Sequence, residues 1–172
     1  MDVSKVSKGS MVFIGGSVLF AIASFFDWFS FATVFGVRLA GASANGFDAG
    51  FLWCTLWFIV FLGAAVVLAL PAFGVAAPKL PAVSYVAAGA LGSIFVLLKL
   101  IIGIEFYDRS AGIYIGLVAA LVVTFGGFLV YTESGGTLED LKDIDKLRAS
   151  FHHVGSGDAS PPPPPPPPPP VG

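Results

Sequence analysis

Four runs of apolar residues dominate this chain, at positions 11–26, 51–70, 82–104 and 111–131, with lengths of 16, 20, 23 and 21 residues. An α-helix needs ~20 such residues to cross a ~30 Å hydrocarbon core, so the last three are long enough and the first is just short of it. Only one charged residue, Lys99, interrupts them. In a bilayer every backbone N–H and C=O must be paired within the segment, which restricts apolar runs of this length to helices. The chain therefore reads as an all-α membrane protein, a bundle of four transmembrane helices in one domain at 11–131. Its composition agrees. Of the 172 residues 56% are hydrophobic and 12% charged, roughly half the charge of an average soluble domain.

The first run raises the alternative of a cleaved signal peptide. Lys5 and Lys8 precede it, and Ala21-Ile22-Ala23 before Ser24 resembles a small-x-small cleavage site. Phe25, Phe26, Trp28 and Phe29 follow at once and extend the apolar character, which favours a retained helix.

Orientation follows from the basic residues. With the N-terminus inside, Lys5, Lys8, Lys79, Lys142, Lys146 and Arg148 lie on the cytoplasmic side, and Arg38 and Arg109 outside. That asymmetry places both termini in the cytoplasm of a multi-pass protein of the cell membrane. Trp28, Trp53, Trp57, Tyr107 and Tyr114 then mark the outer boundary, and Tyr85 and Tyr131 the inner one.

The connections carry their own signals. Residues 29–39 alternate, with Phe29, Phe31, Thr33, Phe35, Val37 and Leu39 on one side and smaller or polar residues on the other. A period of two predicts a half-buried strand; with Gly36 as the turn, it predicts a short β-hairpin in the first outer loop, strands 29–34 and 37–40. Asn45-Gly46 predicts a tight turn, and Asp48 is placed to cap the second helix. Pro71 predicts the end of that helix. Phe26-Asp27 with Ala49-Gly50-Phe51, and Tyr107-Asp108 with Ala111-Gly112-Ile113, form a faint internal repeat around the two outer loops.

After a ten-residue cytoplasmic N-terminus and the membrane domain, a cytoplasmic tail occupies 132–160. Thr137 and Asp140 form a capping-box pattern. Leu138, Leu141, Ile144, Leu147 and Phe151 recur every three or four residues, which predicts an amphipathic helix at 138–151. The last stretch, 161–172, holds ten consecutive prolines, whose composition dictates an extended polyproline II conformation. Such a run is a low-complexity spacer or a docking site for a protein partner.

Residues able to carry chemistry are few. Lys99 sits in a membrane segment, where an ionisable side chain is a functional candidate by default. It also lies near the outer end of its run, within reach of an ion pair with Asp27 or Glu105, or of the interface by snorkelling. Gly112 and Gly116 form a GxxxG continued by Ala120, the spacing that lets helices approach closely, within the bundle or in a homo-oligomer. His152 and His153 lie in the tail, so neither provides an intramembrane haem ligand. Cys54 is the single cysteine, which excludes an intrachain disulfide and a paired-thiol redox centre. No catalytic triad or phosphate-binding glycine loop is present. A net charge of -2 without a basic stripe argues against nucleic acid. No cofactor or metal is implied.

The NGFDAGF stretch before the second span, AGIYIGL opening the fourth and the proline tail resemble small, uncharacterised four-helix membrane proteins of the actinobacterial type with a Pro-rich cytoplasmic tail. The resemblance implies no activity. The expectation is a non-enzymatic envelope accessory or scaffold protein, in contact with the lipid bilayer and with a protein partner for its tail or outer loop. The alternative is a small oligomeric transporter or channel using Lys99 with Asp27 or Glu105.

Overall fold

The computed structural model describes residues 6–31, 43–78, 80–137 and 139–141. Its elements are α1 (Lys8–Phe25), β1 (Asp27–Phe31), β2 (Ser43–Asn45), a π-helical turn (Phe51–Thr55) leading into α2 (Leu56–Ala69), a 3-10 turn (Leu70–Phe73), α3 (Ala82–Ile102), β3 (Tyr107–Arg109) and α4 (Ala111–Glu133). Four helical segments, Lys8–Phe25, Phe51–Phe73, Ala82–Ile102 and Ala111–Glu133, are long and apolar enough to cross a membrane. The molecule is an up-down-up-down bundle of an integral membrane protein, with a three-stranded antiparallel sheet at one end.

Helix α4 packs along both α1 and α3, and α1 also packs along α2. The reason lies in a strict seven-residue repeat. The buried residues of α1 are Gly9-Ser10, Phe13, Gly16-Ser17, Phe20 and Ala23-Ser24, so each buried position returns after seven. A seven-residue period keeps one seam facing a neighbouring helix along its whole length. Helix α4 answers with Gly112, Ala119 and Gly126, and with Ile113, Ala120 and Gly127. The small residues bring backbones together: a Cβ on Gly9 would fall 2.5 Å from the Val130 nitrogen, one on Gly16 2.9 Å from the Val123 nitrogen, and one on Gly89 of α3 2.5 Å from the Thr124 Cα. Small side chains at such crossings are how helices gain van der Waals contact where lipid removes the hydrophobic drive between them. Ser93 Oγ and Thr124 Oγ1 add a hydrogen bond of 2.9 Å across the α3–α4 seam.

Some helix termini depart from the expected limits for local reasons. The α-helix of the second span ends at Ala69, just before Pro71 as expected, and a 3-10 turn with Pro71 in its first turn carries the chain on to the left-handed Gly74 (φ 75°). Asp48 does not cap the second helix. The N-cap is Gly50, and the Asp48 carboxylate accepts from the Asn45 N–H at 3.1 Å, while Asn45 Oδ1 accepts from Phe47 and Asp48. The two side chains close the Asn45-Gly46 turn on itself. Helix α4 runs two residues past Tyr131 and ends in a Schellman motif: Gly136 N–H donates to Tyr131 O and Gly135 N–H to Thr132 O, with Gly135 at φ 91°. Beyond it, Thr137 and Asp140 make the reciprocal capping-box bonds, Thr137 N–H to Asp140 Oδ2 at 3.1 Å and Asp140 N–H to Thr137 Oγ1 at 3.3 Å. Of the amphipathic helix expected at 138–151 only 139–141 are described, as a turn; the rest of it, the Gly36 turn, the 37–40 strand and the proline run lie outside the described residues.

Candidate functional site: the sheet-capped end of the bundle

The sheet is where the two loops at this end meet. Its order is β2-β1-β3, so the expected hairpin is extended by a strand from the second loop, and its return strand is Ser43–Asn45. Register explains what the sheet is for. Ser30 pairs with Ser43 and Phe29 with Ala44, but Asp27 pairs with Asn45, so a bulge leaves Trp28 unmatched on β2. A bulge bends the strand and redirects a side chain. Here Trp28 and Phe29 are consecutive and both fully buried, which simple alternation forbids.

Trp28 enters the bundle. Its indole N–H donates to Ala23 O at 2.9 Å, its ring meets Phe20 edge-on with centroids 6.3 Å apart, and it lies over the two glycines of the α4 GxxxG. A Cβ on Gly112 would sit 2.5 Å from Asp27 O, and one on Gly116 3.0 Å from Trp28 Cζ2. Gly112 and Gly116 thus form the slot for Trp28, while the third residue of that pattern, Ala120, is buried deeper in the bundle and accepts from Thr124 Oγ1 at 2.9 Å.

The sheet and its turns also satisfy helix ends. The last carbonyls of a helix have no partner within it. Ser24 O of α1 receives Gly46 N–H at 3.0 Å; Leu100 O and Ile101 O of α3 receive Arg109 Nε at 2.8 Å and Nη2 at 2.9 Å. A guanidinium at a helix C-terminus also complements the negative end of the helix dipole. At the opposite end the Glu133 carboxylate accepts from Gly9 N–H at 3.0 and 3.2 Å, so α4 caps the first turn of α1. Back at the sheet end, Cys54 is buried beside Gly46 and Trp28, and its thiol donates to Ser24 Oγ at 3.2 Å.

Lys99 occupies the next position of the α3 seam after Tyr85, Gly89, Gly92 and Val96, a 4-3-4-3 spacing that turns it inward. It is 8% exposed. Its ammonium lies 5.6 Å from the ring centroid of Phe29 and 5.6 Å from that of Trp53, within the range of a cation–π contact. Asp27 and Glu105 are both exposed at this end of the bundle; among the described residues neither forms an ion pair with Lys99.

The seven-residue repeat of α1 and the entry of Trp28 were the features that sequence reasoning missed. The first was readable as Gly-Ser, Gly-Ser and Ala-Ser at equal intervals; the second was not, because a bulge has no fixed sequence signature. No family model matches the chain, and no curated protein and no solved structure matches it.

Proposed function

We propose that this protein is a non-enzymatic membrane scaffold of the cell envelope, with a rigid bundle that displays the sheet on the outer side and the proline-rich tail in the cytoplasm. The observation that carries the reading is backbone-to-backbone contact along both α4 seams, at Gly9, Gly16, Gly89 and Gly126. Helices held at that distance act as fixed struts, which leaves recognition to the two ends. Six basic residues on the tail side against two on the sheet side support the orientation.

Orientation is tested with cysteines introduced at Phe106, which is 78% exposed at the sheet end, and at Glu139 in the capping box. Cys54 is buried and stays silent. A membrane-impermeant maleimide applied to intact cells is expected to label Phe106→Cys and not Glu139→Cys; the opposite pattern inverts the topology.

The scaffold reading is tested by co-purification of the full-length chain and of a chain ending at Gly136. That end point keeps the Glu133–Gly9 bonds and the Schellman motif, so the bundle remains intact. Partners are expected on the full-length protein and absent from the shortened one. A partner set unchanged by the deletion sinks the tail as the docking element.

A further inference from the structure

The sheet end holds side-chain donors that have no hydrogen-bond partner among the described residues and keep access to the surface, since no fully buried side-chain nitrogen or oxygen is left unpaired there. Lys99 carries three N–H donors and makes no hydrogen bond or ion pair among the described residues, its contacts being the faces of Phe29 and Trp53. The indole N–H groups of Trp28 and Trp57 each reach a carbonyl at 2.9 Å, whereas that of Trp53 has no partner among the described residues. Trp53 belongs to the first turn of the continuous helix Phe51–Phe73, whose N-cap Gly50 offers no side-chain acceptor. In that turn the Trp53 and Cys54 N–H groups donate to Gly50 O at 3.1 and 3.3 Å, so the N–H groups of Phe51 and Leu52 and the positive dipole end of the helix are what it adds to the donor set. Lys99 is 8% exposed as a residue and its ammonium lies 5.6 Å from the Trp53 ring at the start of that helix, which brings together an ammonium, an indole N–H and a helix N-terminus, three groups that suit an anion.

The chemistry of that anion follows from the place. Phe51 and Leu52 beside the site are more than half exposed, on a helix that contacts lipid, so the site opens at the depth of lipid headgroups. A charge within a membrane segment is retained when it is paired. Among the described residues neither Asp27 nor Glu105 forms an ion pair with Lys99. Phosphate oxygens accept several donors at once, and lysine binds phosphate as a point charge.

We propose that Lys99, Trp53 and the first turn of the Phe51–Phe73 helix bind the phosphate of an anionic phospholipid at the sheet end of the bundle. The acyl chains lie along the exposed side of that helix. The site rests on the membrane reading and is independent of the scaffold role, so its failure leaves the tail experiment untouched.

Native mass spectrometry of the full-length protein tests this, with phosphatidylglycerol and phosphatidylcholine offered at equal mole fraction and inorganic phosphate offered separately. The wild type is expected to retain one phosphatidylglycerol with about tenfold preference over phosphatidylcholine, the worth of one charge-assisted hydrogen bond. Lys99→Met is expected to lose the preference and Lys99→Arg to keep it. Trp53→Phe, which keeps the ring and removes the N–H, is expected to reduce it several-fold, and it decides the matter should Lys99→Met fail to fold. Equal retention of phosphatidylglycerol by wild type, Lys99→Met and Trp53→Phe overturns the site. Lys99-dependent binding of inorganic phosphate as tight as that of the lipid assigns it to a soluble anion and overturns the lipid source.

Discussion

Replacing Gly126 by valine is expected to prevent the bundle from assembling, while the same change at Gly15 leaves it intact. A Cβ on Gly126 would meet the backbone of Phe13, 2.6 Å from its Cα. Backbone cannot rotate aside as a side chain can, so α1 and α4 would have to separate along the seam. Overpacking a core usually costs about 1–3 kcal/mol and occasionally more; two rigid backbones place Gly126→Val at or above the upper end. Gly15 has nothing within 4 Å of the position its Cβ would take, and Gly15→Val is expected to change stability by no more than about 0.5 kcal/mol. Thermal unfolding in a mild detergent, followed by circular dichroism, distinguishes the two. Equal midpoints for Gly126→Val and Gly15→Val would remove the basis for a close-packed α1–α4 seam.

Trp28→Ala carries the second large effect. The indole fills the slot over Gly112 and Gly116, stacks edge-on against Phe20 and caps Ala23 O. Truncating a buried tryptophan costs about 3–5 kcal/mol, the transfer term plus the cavity left behind. Trp28→Phe keeps most of the packing and loses the hydrogen bond, at about 1 kcal/mol. A local readout accompanies the loss of stability. Gly46 lies between Trp28 and Cys54, with its Cβ position 2.9 Å from Trp28 Cε2 and 2.7 Å from Cys54 Sγ. Emptying the tryptophan site should open the path to the thiol, so maleimide labelling of Cys54 is expected to accelerate in Trp28→Ala and to stay slow in Trp28→Phe. Unchanged labelling alongside unchanged stability would mean that the sheet does not plug the bundle.

The sheet shows how far local patterns reach. Alternation through Phe29 and Phe31 correctly announces extended chain, because the period of a strand is a property of consecutive residues. The identity of the partner strands is not. Strand β3 comes from Tyr107–Arg109, nearly eighty residues along the chain, and nothing in those three residues distinguishes a strand from a turn. The GxxxG at Gly112 and Gly116 is legible as a place where something approaches closely. That the visitor is an indole from β1 depends on the bulge at Trp28 and on α1 delivering β1 to the top of α4.

Lys99 divides in the same manner. Its presence in an apolar run marks it from the sequence alone, and reach along the helix makes Asp27 and Glu105 reasonable partners. Its direction is decided by the seam: the small and aromatic residues at 85, 89, 92 and 96 orient α3, and Lys99 follows them inward to Phe29 and Trp53. Orientation of a helix about its axis is a sum over all its contacts, so no single side chain announces it.

By itself the sequence determined four helices, their alternating direction and the membrane as solvent, since length and hydropathy alone exclude other ways of pairing the backbone in lipid. The seven-residue recurrence of small residues in α1 was also present in the sequence, but not the identity of α4 as the helix that meets it. Only the tertiary structure decided which strands share a sheet, that Trp28 rather than a second helix fills the glycine slot, and that Lys99 faces the rings of Phe29 and Trp53. Those outcomes rest on contacts between residues far apart in the chain, where geometry is set by the assembled bundle and not by any neighbour in sequence.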